Sequence, residues 1–404
     1  MRILQQYIAL LVLYLLVFGC KKSVPPTEVQ STTITSQVST QMTGTSSVKL
    51  LFVGDVMGHD PQIKSALDAK TGRYNYSDCF KYLEPIISKA DIAVANLEVT
   101  LPGQPPYVGY PHFRSPNALA KGLKDAGFDV IVTANNHSND AGKIGVDQTL
   151  NTLESQGLLA TGTFKDYKER YKNYPLIIDK NGIKVAFLNC TYDTNGMPDI
   201  PPTIVNRIDT LELDKDILKA KAAKADVLVV LIHWGKEYKL LPNKDQKFLA
   251  DWLVSKGVTA VIGSHPHVIQ PVETRKSDAA DVFITYSLGN FISNQRKKDT
   301  EGGLLVEVEF TKDHDEQKVA IQKSSYSLLW RYIFSKNNKS KYYTIPISPF
   351  QTNSQDKMAM SKRQQREMIA FATKFRNHLK KNGNVEERKY KFKELFDNKF
   401  SKPL

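Results

Sequence analysis

The sequence predicts an α/β fold with largely parallel strands. Three observations predict it. Short apolar runs recur through residues 48–291, each ending at once in a polar or glycine-containing turn. Helical patterns stand between several of them, and this alternation is the grammar of α/β domains. The residues just after the runs are repeatedly Asp, Glu, Asn or His, the types that hold metals and move protons.

In chain order, the run at 48–53 leads into Gly54-Asp55, and the run at 91–95 into Asn96, Leu97 and Glu98. The run at 129–133 leads into Asn135, Asn136 and His137, and that at 184–188 into Asn189 and Cys190. Residues 226–232 lead into His233 and Trp234, and 258–262 into Ser264, His265, Pro266 and His267. The last run, 282–286, leads into Gly289 and Asn290. Each run is five to seven residues long and mostly apolar, as expected of strands buried on both faces. Segments 115–126, 146–156 and 245–256 carry helical patterns. In open α/β sheets ligands bind beyond the carboxyl ends of the strands. The expectation is therefore one rim bearing Asp55, Glu98, Asn136, His137, His233, His265, His267 and Asn290.

That set has the composition of a metal-assisted hydrolytic site. Neutral imidazoles and carboxylates suit zinc, manganese or iron. Two such ions, about 3.5–4 Å apart, hold a hydroxide and stabilise an in-line displacement. Any one member has an ordinary explanation: a turn, a helix cap, a packed imidazole. The paired imidazoles of His265-Pro266-His267 are the most specific element, because one strand end projects both toward one point. His59 and His112 lie in loops near others of the set.

The motifs VGDVM at 53–57, ANLE at 95–98, ANNHSND at 134–140, HWGKE at 233–237, GSHPHV at 263–268 and YSLGNF at 286–291 resemble, in order, those of the CapA family of capsule and poly-γ-glutamate synthesis proteins. The resemblance spans residues 48–310. It implies a calcineurin-like metallophosphoesterase fold, a four-layer α/β/β/α sandwich with one or two divalent metal ions (Mn, Zn or Fe). Carried over motif by motif, it implies Asp55 and His267 on the first metal and Asn136, His233 and His265 on the second. Glu98 would bridge them. His137 would be the general acid, oriented by Asp140. Arg114 and Asn290 are candidate substrate contacts; Tyr107, Tyr110 and Trp234 would line a groove or simply pack. The pattern departs from the superfamily at two points. Met57 stands where a metal-binding His is expected, so the first site looks depleted, and Glu98 replaces an Asp.

The N-terminus reads as a targeting segment. Residues 7–18, YIALLVLYLLVF, are too short to span a bilayer, which takes about 20 apolar residues. They fit the hydrophobic part of a signal peptide. The run ends in Val17-Phe18-Gly19-Cys20, which resembles a bacterial lipobox with Cys20 as the lipidated residue; the alternative is an uncleaved anchor. The domain plan is a signal peptide at 1–19, Cys20 and a disordered Ser/Thr-rich linker to 47, the metallophosphoesterase-like body at 48–311 and a basic extension at 312–404. The implied location is the bacterial cell envelope, lipid-anchored and facing the periplasm or exterior.

The charge is lopsided. Residues 312–404 hold 21 Lys and Arg against 9 Asp and Glu, which is twelve of the chain's net +13. This suggests an anionic partner: a cell-surface polymer or its precursor, with membrane synthase subunits as further candidates. No base-reading motif is present, so no nucleic acid is expected. Within the extension, Met368, Phe371, Ala372, Phe375 and Leu379 form a helical stripe that either packs on the body or lies on a membrane. Three cysteines exclude a disulfide-dense fold. Cys79 and Cys190 are read as separate buried thiols, with a single bridge as the alternative.

Overall fold

The computed structural model describes residues 43–277, 280–337, 339–351 and 358–396. Cys20, the signal segment and most of the linker lie outside the described residues. Met42–Leu404 form one compact unit.

The strands and helices that position the site are β1 (Thr45–Val56), α1 (Asp60–Ala66), β2 (Ile92–Leu97), α2 (Ala118–Asp125), β3 (Val130–Val132), α3 (Gly142–Ser155), β4 (Leu159–Thr161), β5 (Leu176–Lys180), β6 (Ile183–Thr191), α4 (Thr210–Ala222), β7 (Val227–His233), α5 (Lys244–Ser255), β8 (Ala260–Ser264), β9 (Val272–Arg275), β10 (Val282–Thr285) and β11 (Asn290–Ile292). Then come β12 (Gly302–Asp313), β13 (Lys318–Lys336), β14 (Lys339–Pro346), α6 (Lys362–Asn382) and β15 (Glu386–Glu387). A nine-stranded sheet runs β14-β13-β12-β1-β2-β3-β4, with β11 paired to β1 and β15 to β13. A six-stranded sheet runs β9-β10-β8-β7-β6-β5. Every predicted run is a strand and every predicted helix a helix, with ends moved by a few residues.

The period-2 pattern of the second sheet shows why there are four layers. Val185, Phe187, Val227, Val229, Leu231, Ile262 and Phe283 join the core shared with β1 and its neighbours. Their alternates Ala186, Leu188, Leu228, Val230, Ile232, Val261 and Ile284 join a second core with Leu213 and Ile217 of α4 and Leu249 and Leu253 of α5. The sheets face each other and helices cover their outsides. One correction follows. The strands are parallel through β11-β1-β2-β3-β4 and β6-β7-β8-β10, whereas β1–β12, β12–β13, β13–β14, β5–β6 and β9–β10 are antiparallel. Phe283 is fully buried between the sheets, so Phe283→Ala is expected to cost about 3–5 kcal/mol. Denaturant titration checks it; an unshifted midpoint would contradict the packing.

The extension does not stand apart. Residue 311 lies inside β12, whose partner β13 continues the body's sheet. On α6 the buried residues are Met368, Phe371, Ala372, Phe375 and Leu379, the predicted stripe, and Phe371 packs 5.2 Å from Trp330 of β13. That face is spent on the parent sheet, which removes the membrane-lying alternative. Much of the basic charge is paired: Arg376 grips Glu387, and Arg388 grips Glu307. No helix of the described residues is long and apolar enough to cross a membrane. Cys79 and Cys190 are free buried thiols in different cores.

Candidate metal centre

Three backbone devices aim the site. At the end of β1 the register slips between Val53 and Asp55, bringing Asp55 beside Asn96 of β2 and Asn290 of β11. His233 ends β7 with Ser264 of β8 at its side. After β8 the chain turns through His265 and His267, at φ of 98° and 58°. Those are left-handed values that non-glycine residues rarely adopt, and such strain persists only where the surroundings enforce it.

The side chains meet in two groups of potential ligand atoms: Glu98, His233 and His265, and Asp55, Glu98 and His267. Within each, the ligand atoms lie within 4.8 Å of one another, and Glu98 belongs to both. Glu98 Oε1 is 3.5 Å from His233 Nε2 and 3.8 Å from His267 Nε2. Asn136 Oδ1 sits 2.6 Å from the same His233 Nε2, while Ser264 Oγ holds the ring's Nδ1 at 2.9 Å. His267 Nδ1 lies 3.1 Å from both Asp55 Oδ2 and Asn290 Oδ1. Asn96 Nδ2 donates to Asp55 Oδ1 at 2.8 Å. The predicted ligands Asp55, Glu98, Asn136, His233, His265 and His267 are thus brought together.

These groups fit divalent cations. Both Glu98 oxygens and His265 Nδ1 are buried with no hydrogen-bond partner, an expensive state for polar atoms unless something else satisfies them. The electrostatics agree. Burial, then the charge of Asp55, holds the Glu98 pKa well above the usual carboxylate value. Burial also opposes charge on Asp55, but the hydrogen bond and charge of His267 outweigh it and keep that carboxyl below its ordinary pKa. Burial lowers His233 to about 3 and His265 well below the ordinary value, so both rings are neutral, the form that binds metal.

His137 is held by Asp140: Nδ1 to Oδ2 is 2.7 Å, and the same oxygen accepts from the Phe113 amide at 2.6 Å. This fixes the ring with Nε2 free of the carboxylate. Arg114 Nη2 donates to the Asp140 carbonyl at 3.3 Å and its buried Nε has no partner.

Other candidates move. Asn290, a candidate substrate contact, sits in the metal centre's edge beside His267. His59 does not replace the missing ligand: it begins α1, with Nδ1 against Gln62 Oε1 at 3.1 Å. His112 is exposed and joins neither group. Met57 is buried, its sulfur 3.7 Å from Ser293 Oγ, so the first group keeps three ligands. Trp234 lines no groove; it is buried and donates to the Tyr286 carbonyl at 2.8 Å. Tyr110 is 77% exposed. The sequence reading missed Asn96 and Ser264, which orient Asp55 and His233, and Tyr192, whose ring lies 4.6 Å from that of His265. Asn96 was visible as the residue two before Glu98; nothing local marked Tyr192.

Residues 49–295 match the bacterial capsule synthesis protein PGA_cap family. The chain belongs to this family. It is 31% identical over 272 residues to the PGA biosynthesis protein CapA of Bacillus subtilis (strain 168), spanning 65% of this chain and 67% of that one. It is 31% identical over 270 residues to the capsule biosynthesis protein CapA of Bacillus anthracis, spanning 64% and 62%. Roughly a third of each relative is thus unmatched. Solved structures overlap it loosely. The Haemophilus influenzae NAD nucleotidase gives a TM-score of 0.44 at 11% identity, covering 85% of this chain and 58% of that one. A phosphatase from Mycoplasma pneumoniae gives 0.39 at 17%, covering 70% and 94%. Overlaps this loose assign no chemistry; both candidate metal groups lie within the family match.

Proposed function

We propose that this PGA_cap protein is an exported, membrane-anchored, metal-dependent hydrolase or transferase. It acts on an anionic cell-surface polymer or its precursor, at a phosphoester or amide. The observation that carries the reading is Glu98: a fully buried carboxylate, both oxygens unpartnered, shared by two ligand groups. Asp55, Glu98 and His267 would hold one cation, and Glu98, Asn136, His233 and His265 the other, as Mn, Zn or Fe. Bound there, the metal supplies Lewis acidity and a water of lowered pKa. In its doubly protonated form, with Asp140 accepting from Nδ1–H, His137 would give its Nε2 proton to the leaving group and return to the neutral Nδ1–H tautomer, while Arg114 would meet the substrate's anion.

His137→Ala is expected to cut turnover by about 10²–10⁴-fold while metal content stays unchanged. The screen covers phosphoester and amide substrates, with elemental analysis of the same samples. Turnover that survives complete metal removal sinks the metal-dependent mechanism, and no turnover on any substrate with metal bound sinks the enzymatic reading. The buried Met57 favours a second one, in which the centre is structural and the protein binds or anchors the polymer, alone or within a membrane synthase. Polymer binding that is intact in His137→Ala, with function in cells also intact, selects that reading.

The proposed location is the cell envelope, through a lipid on Cys20. Intact-mass measurement of membrane-extracted protein is expected to show a diacylglyceryl adduct on Cys20 as first residue. An unmodified chain starting at Met1 overturns it.

A further inference from the structure

A cavity of 770 Å³ opens among the loop 296–301, β13, β14 and α6. Small-ligand sites occupy roughly 300–1,000 Å³. Every residue lining it lies beyond position 295, outside the family match. On its wall Arg331 of β13 is 8% exposed. Its Nη1 donates to the carbonyls of Ser293 at 3.0 Å and Gln295 at 2.7 Å, and its Nε is buried without a partner. Among the described residues Arg331 makes no ion pair. Burial, with the charge of Arg296 next, draws its pKa down to about 10. A guanidinium taken out of water beside a second one is a charge lacking its counter-ion.

The cavity's own acids do not supply one. Asp299 holds Lys374 at 2.6 Å, and Glu367 holds Arg363 at 2.8 Å. Glu301 is half-buried, and burial raises its carboxyl pKa more than the charge of Arg331 lowers it; it offsets Arg331 at a distance but forms no ion pair with it. Exposed Arg296 and Lys298 stand at the cavity, and Trp330 and Phe371, rings 5.2 Å apart, give it an apolar wall.

We propose that this cavity is a second binding site, taking a carboxylate carried on a flexible chain. Arg331 and Arg296 present planar forks that match a carboxylate, Lys298 adds a point charge at the mouth, and Trp330 and Phe371 cover the chain's methylenes. The inference rests on the polymer part of the function proposed above and is independent of its chemistry. The loop also carries Gln295, which accepts from Asn290 of the metal centre at 2.9 Å. An acidic chain held here is thereby anchored beside that centre.

The test is calorimetric titration of the full chain with tetra-aspartate, and separately with inorganic phosphate, at physiological salt. Tetra-aspartate is expected to bind, and the double variant R296A/K298A to weaken it by about tenfold or more, since it removes two charged donors. Both side chains are exposed, so folding is not at stake; Arg331→Met, with its melting curve as a check, is expected to lose binding further. Glu98→Gln should leave binding intact, which separates failure of this site from failure of the metal centre. An equal loss in K362A/R366A, on the exposed face of α6, means general charge attraction and overturns the proposal. So does an unchanged affinity in R296A/K298A, or binding of phosphate without tetra-aspartate.

Discussion

Glu98→Gln is expected to empty both candidate metal positions at once. Substituting any other ligand leaves one group of potential ligands whole, because only Glu98 is common to both. The amide keeps the volume and one acceptor oxygen but loses the charge that offsets two dications. Loss of partners that merely orient metal ligands already costs about 10–100-fold in affinity, so loss of the shared ligand should exceed about 100-fold. Elemental analysis after dialysis is expected to fall from as many as two equivalents to near zero, against a partial loss in His265→Ala. A bound metal at 100 times its Kd stabilises a fold by about 2.7 kcal/mol, so the variant should also lose the rise in Tm that added metal gives the parent. Full metal content in Glu98→Gln would falsify the bridging role.

The metal-free proteins should show the opposite order. Glu98 has a folded-state pKa raised by burial and by Asp55. A raised carboxyl binds its proton in the folded state at pH values where the unfolded chain has released it. Metal-free parent protein therefore loses stability as pH rises above the ordinary glutamate range, and Gln, neutral throughout, does not. At pH 8 without metal, Glu98→Gln is expected to melt at or above the parent, although it is the variant most damaged when metal is supplied. A merely misfolded variant would melt lower under both conditions.

The sheet strands were legible because their pattern is local. Runs such as 227–232 are apolar at every position, which marks a strand covered on both faces. The stripe on α6 was legible for the same reason, at period 3.6. The division into two facing sheets came only through the family resemblance, because Phe187 and Leu188 look alike in sequence and only packing sends them to different cores. Among site residues, Asp55, Glu98 and His267 declared themselves by chemical type at strand ends. Asn290 was found as a candidate substrate contact, but its contact with His267 was not legible: it spans 23 residues and needs β11 beside β1. The join between extension and body at 311 was not legible, because basic composition hides the ladder joining β13 to β12. Composition reports solvent-facing charge; it is silent on which backbone pairs with which.

Gly54 shows the same gap most sharply, and Gly54→Ala is expected to damage both fold and site. In sequence, Gly54-Asp55 is an ordinary turn, for which alanine would be tolerated. In the structure a Cβ on Gly54 would lie 1.9 Å from the Gly289 carbonyl oxygen and 3.1 Å from Leu288 Cβ. The obstacle is mainly backbone, and it has no room to retreat. Gly289 has φ of 68° with its own Cβ position 3.1 Å from the Gly302 oxygen, and behind it a Cβ on Gly303 would meet the Asn290 carbonyl oxygen at 2.6 Å. Glycines 54, 289 and 303 thus let β1, the turn before β11 and β12 approach as bare backbone. The Asp55 amide uses that closeness to donate to the Gly289 carbonyl at 3.1 Å. Overpacking typically costs about 1–3 kcal/mol, and a clash against backbone on both sides belongs at or above the top of that range. The methyl would also push apart the two strands that set Asp55 against Asn290 and His267. The metal position built on Asp55 should therefore empty while that on His233 and His265 persists, leaving about one equivalent where the parent holds more. Denaturant midpoints and metal stoichiometry read the two effects separately. A stability change within about 0.5 kcal/mol, the usual range for an innocuous surface site, would return Gly54 to the ordinary turn that its sequence suggests.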